Sequence, residues 1–265
     1  MSAPSQFAIN LSEKFPENLT NSPILEAVIH WEAPASKPLE QISLKEALTK
    51  HLPEYPTIQT QYVTEAKIMG TPDDSSQFSQ HTQWDGFRLE DDRKNYVAQF
   101  THTGIAFSRV QSYESWKYFK NEALRVWDVF VELAEPKTIR RLGVRFINRI
   151  LIKQDESIST YLKSEPYRLS GLEISPKSFF YQDTYQVAGY PYQINLVRTI
   201  QPNQTGSGSE QALIVDIDVF TNEVSSIRDD LNQQLAEMRW LKNKIFFSNI
   251  TDTAQNYLRR YQLYC

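Results

Sequence analysis

The run Arg141-Leu142-Gly143-Val144-Arg145-Phe146-Ile147-Asn148-Arg149-Ile150 decides how this chain is read. Successive side chains of a strand point to opposite faces. Arg141, Gly143, Arg145, Ile147 and Arg149 therefore share one face, and Leu142, Val144, Phe146, Asn148 and Ile150 share the other. The run is the heart of a long strand expected over 139–152, with one face for a core and one for polar chemistry. Beyond it lie a short helix over 157–163 and strands over 179–187 and 190–200, joined by a tight turn at Ala188-Gly189. A hairpin loop over 202–210 carries Thr205-Gly206-Ser207-Gly208-Ser209, and a strand follows over 212–220. A final helix is capped by Ser225 or Ser226. Its apolar stripe is Ile227, Leu231, Leu235, Met238, Leu241 and Ile245, and helix continues over 251–264.

The same order of segments precedes the arginine strand. Ile24–Trp31 reads as a strand closed by Pro34 and Pro38. Ser43 and Glu46 form a capping box for a helix from Leu44 that ends before Pro53. Ile58–Met69, Gln83–Glu90, Tyr96–His102 and Ile105–Val110 read as strands, with Thr71–Gln80 a polar loop and 91–95 a hairpin turn. From Glu114, the residues Trp116, Phe119, Ala123, Trp127, Phe130 and Ala134 recur at helical spacing and face a core. The expected fold is α+β: a large antiparallel sheet with two long helices, in two matched β-α-β-β-β-α halves of TATA-binding-protein-like or helix-grip-like type. Residues 1–22 form a polar N-terminal arm. Residues 23–136 and 137–265 are the two α+β halves of one compact unit.

Composition narrows the function classes. Hydrophobic residues at 40% and charged residues at 23% are near the averages for soluble globular domains, so neither disorder nor a membrane span is indicated. No apolar run approaches the roughly 18 residues a spanning helix needs. With only 8 glycines, glycine-dense phosphate loops are disfavoured. A net charge of −4 argues against nucleic acid, whose partners carry a basic face. The one cysteine, Cys265, allows no disulfide and no Cys-based metal site within the chain. The first 23 residues have neither a basic nor an apolar segment of a secretory signal. A cytoplasmic protein without cofactor or metal is expected.

Three stretches carry a family likeness: Asn21-Ser22-Pro23-Ile24-Leu25-Glu26-Ala27-Val28, the arginine strand, and Phe247-Ser248-Asn249-Ile250-Thr251-Asp252. Their order and spacing resemble a sporadically distributed family of prokaryotic proteins of about this length. That family is defined by a sequence profile with an R-x-G-x-R-[FY]-x-N-R-like strand and has no assigned activity. The resemblance covers most of the chain and is most specific in the arginine strand. It implies a prokaryotic cytosolic protein, an accessory factor carried with mobile or defence genes, and it transfers no catalytic residues.

Arg141, Arg145 and Arg149 are suited to an anion or an acidic partner, because a guanidinium offers a planar two-pronged donor. The competing reading is an outer sheet face tied by cross-strand ion pairs, with Arg145 and Arg149 held by Asp216 and Asp218. These paired carboxylates also form a D-x-D arrangement that hard cations favour, but no third ligand accompanies it. His30, His51, His81 and His102 lack metal-ligand spacing; His30 and His102 lie on strands that can bring them together. No G-x-S-x-G motif is present, and Thr205–Ser209 lacks the lysine and helix of a phosphate loop. Among the aromatics Phe179, Phe180, Tyr181, Tyr185, Tyr190 and Tyr192, the candidate cavity lining is Tyr181, Tyr185 and Tyr192. The expected role is non-enzymatic binding of a protein partner or of a second copy of the chain. The alternatives are a small-molecule-binding domain with a cavity between sheet and long helix, and an enzyme using the strand-borne Asp and Arg.

Overall fold

The computed structural model describes the chain except residues 1–7, 16–18, 20, 70–76, 94, 111–112, 114, 154–155, 165–177, 203–210, 224–226, 229 and 261–265. The strands are β1 (Ile24–Glu32), β2 (Thr57–Met69), β3 (Gln77–Glu90), β4 (Tyr96–Thr101), β5 (Gly104–Arg109), β6 (Arg141–Ile152), β7 (Phe180–Gln186), β8 (Gln193–Pro202) and β9 (Gln211–Thr221). The helices are α1 (Gln41–His51), α2 (Trp116–Ala134), α3 (Leu231–Asn249) and α4 (Asp252–Arg260). All nine strands join one antiparallel sheet in the order β2-β3-β4-β5-β1-β6-β9-β8-β7.

The order is balanced about the central β1–β6 pair. Outward on one side run β5, β4 and β3, and on the other β9, β8 and β7. Four strands follow α1, each where the sequence placed one, so the first half is β-α-β-β-β-β-α and exceeds the expected β-α-β-β-β-α pattern by one strand. The first of these, β2, pairs with β3 far beyond the reach of β4: Tyr62–Met69 and Gln77–Trp84 form a two-stranded ribbon, while β4 pairs β3 only from Gly86 to Glu90. Gly86 marks that junction. A Cβ there would stand 1.8 Å from the Phe100 carbonyl oxygen, so only glycine lets the two strands approach.

Helices α2 and α3 lie on one face of the sheet, because their apolar stripes meet the inward-pointing residues of the central strands. Trp127 stacks on Trp31 with ring centroids 5.2 Å apart, Phe119 on Phe107 at 5.7 Å, and Phe130 packs near Phe100 at 6.2 Å. Leu44 and Leu48 of α1 join the same buried layer. Ser115 caps α2 through its side chain, and α2 ends where Glu135 turns left-handed at φ 47° just before Pro136.

Three local expectations are corrected. Helix α1 begins at Gln41, and the Ser43 hydroxyl bonds back to the Glu40 carbonyl, so no capping box forms. Helix α3 begins at Leu231, after a left-handed Asp230, so Ile227 precedes the helix and its carbonyl accepts from Trp127 Nε1 at 3.0 Å. Ser225 and Ser226 lie outside the described residues. The short helix expected over 157–163 is a single 3-10 turn, Ile158–Thr160, after which Leu162 bridges Ile250, between α3 and α4. The described part of the N-terminal arm is not loose: Phe15 stacks on Phe247 at 5.9 Å, and Glu13 pairs with Lys244 at 2.8 Å. No helix among the described residues is long and apolar enough to cross a membrane.

Candidate functional site on the arginine face of the sheet

The face of β6 opposite the helices carries Arg141, Arg145 and Arg149, as alternation requires; Leu142, Val144, Phe146 and Asn148 are buried on the other. Strand β9 runs beside it with Asp216 and Asp218 on the arginine face and Leu213, Val215, Ile217 and Val219 in the core. In register, Arg145 stands opposite Asp218 and Arg149 opposite Ile214. The ion pairs do not follow the register. Arg145 reaches diagonally to Asp216, with Nε 2.9 Å and Nη2 2.5 Å from its two carboxylate oxygens, and Arg141 reaches Asp218 at 2.6 Å. Arg141 thus joins Arg145 in engaging these aspartates.

Gly143 explains the path of Arg141. A Cβ at Gly143 would meet the Arg141 guanidinium at 2.7 Å, so the absent side chain is the space the guanidinium occupies. From there it stacks over Phe220 at 4.3 Å and donates to Asp218 and to His30 Nδ1, 3.3 Å away. A guanidinium has no acceptor, so Nδ1 of His30 is the unprotonated ring nitrogen. Burial, helped by the Arg141 charge, lowers the His30 pKa. Burial also pushes the Asp218 carboxyl up, against the pull of Arg141 and Arg145. Hydrogen bonding to Asp216 raises the pKa of Arg145 further.

Two guanidiniums and two carboxylates thus pair within the chain, Arg145 with Asp216 and Arg141 with Asp218. No group of three or more His, Cys, Asp or Glu capable of holding a metal occurs among the described residues. His30 and His102 have different neighbours: His102 sits edge-on to Trp84 at 4.9 Å. Cys265 and the Thr205–Ser209 loop lie outside the described residues.

The candidate cavity residues do not converge. Tyr192 is buried and donates its hydroxyl to Glu237 of α3. Burial, then this hydrogen bond, raises its pKa. Tyr181 and Tyr185 lie on β7, the outer strand of the sheet, and are exposed. A cleft exists elsewhere, at the end of β6. It measures about 220 Å³ and is lined by Asn21, Ser22, Ile24, Leu25, Arg149 and Tyr257, among others. The chain is pinned there by Arg149 N–H donating to the Pro23 carbonyl at 2.7 Å and by Asn21 N–H donating to Leu258. The register shift between Ile24 and Glu26 swings Leu25 outward. The cleft therefore brings together the N-terminal lead-in and the end of the arginine strand.

Lys242 of α3 lies outside all the expected sites. It is buried, 7% exposed, with Nζ 3.9 Å from the centre of the Phe146 ring. Desolvation, reinforced by the nearby Arg239 charge, pulls its pKa down to about 7. The signal was its position: Leu235, Met238, Lys242 and Phe246 follow helical spacing on the sheet-facing side, all buried. A partly buried network elsewhere joins the Tyr55 hydroxyl to Glu122 at 2.7 Å, and Glu122 to Arg125.

No known family profile matches the chain, and no curated protein matches its sequence.

Proposed function

We propose that the protein is a non-enzymatic binding protein whose recognition surface is the arginine face of the sheet together with the cleft at Arg149. The observation that carries this reading is the state of Arg145. Its side chain is 49% exposed, yet two of its nitrogens are held by Asp216, itself 13% exposed. A half-exposed guanidinium fixed by a mostly buried carboxylate is preorganised, so little side-chain freedom is lost when a partner binds it. The local cancellation of charge favours a polar protein surface over a polyanion such as nucleic acid. The balanced strand order about β1 and β6 supports an internal duplication. The family likeness supports a cytoplasmic accessory factor of a prokaryotic mobile or defence gene cluster.

The test is affinity capture with the wild type, Arg145→Ala and Arg149→Ala, alongside thermal melts. The expected result is a co-purifying protein lost from both variants while melting changes little. The same proteins recovered with all three chains would refute the surface.

A second reading, a small molecule held in the cleft, is favoured by its mixed lining of Arg149, Asn21 and Ser22 with Ile24 and Leu25. Under that reading, Arg149→Ala loses the ligand and Arg145→Ala keeps it.

A further inference from the structure

Lys242 is a charged residue type placed where a charge is costly. It hangs from the sheet-facing side of α3 onto the Phe146 ring, and no ion pair or hydrogen bond joins it to a described residue. Among the described residues, no carboxylate acts on it. On β6, Phe146 presents a ring and Asn148 spends its amide on the Phe146 and Val215 carbonyls. On β9, Val215 and Ile217 are apolar and buried, and Trp116 of α2 packs against Phe146 at 6.3 Å. The charge that acts on it from its own helix is Arg239, whose guanidinium lies over Trp116 at 5.7 Å and which acts on Lys242 with the same sign.

A ring face stabilises a desolvated ammonium. The desolvation and the neighbouring guanidinium together outweigh it, so the amine is neutral through the upper part of the physiological pH range. A neutral primary amine is a nucleophile, and a hydrophobic setting beside another cation is a known way to activate one.

We propose that Lys242 takes up carbon dioxide as a carbamate stabilised by Arg239. The Nζ lone pair forms an N–C bond to the carbon of carbon dioxide. One C=O π pair moves to oxygen, and the nitrogen proton leaves to solvent, giving Lys242-NH-COO⁻ and H⁺. No oxidant or cofactor is required. The electrophile must be small, because Lys242 keeps only 7% exposure and lines neither surface cleft near α3 and β6. Arg239 gives the site its direction: it repels an ammonium at Lys242 and attracts a carbamate.

The experiment supplies the full-length protein with ¹³C-labelled bicarbonate at slightly alkaline pH and records the carbon spectrum. A carbamate resonance is expected in the wild type and in Lys244→Met, a lysine already paired with Glu13. It is expected to vanish in Lys242→Met and to weaken several-fold in Arg239→Leu. The α-amino group contributes equally to every variant and subtracts out. Lowering the pH through neutrality is expected to discharge the signal as the amine takes a proton. Alkyl trapping of the wild-type carbamate followed by peptide mass spectrometry provides a readout independent of any variant's folding. A trapped adduct missing from the Lys242 peptide, or a resonance unchanged in a folded Lys242→Met, overturns the proposal.

Discussion

Trp127 and Lys242 hold comparable places in the two halves and are chemically opposite. Each lies on the long helix that closes its half, and each packs on an aromatic residue of a central strand: Trp127 on Trp31 of β1, Lys242 on Phe146 of β6. In the first half the contact is indole on indole, with Phe130 stacked on Trp127 and Phe100, Phe107 and Phe119 in the same core. In the second half an amine occupies the sheet-facing stripe. Burial of an aromatic stabilises a fold, whereas burial of an unpaired amine opposes it. The strands are balanced about β1 and β6, and the two cores differ in what these positions hold. The first reads as scaffold, and the second gives up stability at one position, as functional positions do.

The comparison breaks most directly at Trp127. Trp127→Ala removes a stacked ring and leaves a cavity, so a loss of about 3–5 kcal/mol is expected in denaturant unfolding. An unchanged midpoint would mean that the first half is not held by this contact.

Lys242 is expected to behave in the opposite sense. Its folded pKa of about 7 lies below the ordinary lysine value of 10.5. Between these values the unfolded chain binds a proton that the folded chain does not, so stability rises as pH rises across that window. Below about pH 7 both states are protonated and the full penalty applies. A displacement of this size corresponds to a ceiling of about 5 kcal/mol, which water penetration reduces. Lys242→Met is therefore expected to gain about 2–4 kcal/mol at neutral pH and to lose the alkaline rise. A variant less stable than the wild type would show that the amine is charged and paired.

Much of the architecture was legible in the residues. The spacing of Trp116, Phe119, Trp127 and Phe130 places α2 on the core, and alternation sorts β6 and β9 into their faces. What alternation does not contain is which diagonal neighbour a long side chain chooses. Arg145 chooses Asp216 over the opposed Asp218, and Arg141 reaches Asp218 only because Gly143 leaves room. Lys242 was illegible for a different reason. Its hydropathy argues for a surface, and its helical position argues for the core, so a stripe drawn through apolar residues passes it by. The cleft at Arg149 depends on the Leu25 bulge and on α4 meeting the N-terminal lead-in, contacts distant in sequence.

The two ion pairs extend the comparison to the outer face with smaller effects. Arg141 and Asp218 are the more enclosed, at 22% and 19% exposure. Arg141→Ala strands a carboxylate in a poorly solvated place, and a loss of about 1–3 kcal/mol is expected. Gly143→Ala is expected to lose part of the same energy by displacing the guanidinium. Thermal melts of the two variants and their double mutant check this: if Gly143 acts through Arg141, the combined effect falls short of the sum.

The smallest effect separates structure from recognition. Arg145 is half in water, so Arg145→Ala and Asp216→Ala are expected to show a coupling of at most about 1 kcal/mol in a double-mutant cycle. The proposed surface requires that this modest pair position Arg145 for a partner. Asp216→Ala should then leave the Arg145 charge in place while loosening its geometry, and partner binding should weaken without being lost. Arg145→Ala should abolish binding at almost no cost in stability. If instead Arg145→Ala destabilises the chain as much as Arg141→Ala does, and binding falls only in proportion to unfolding, the pair serves the sheet alone, and recognition passes to the cleft at Arg149.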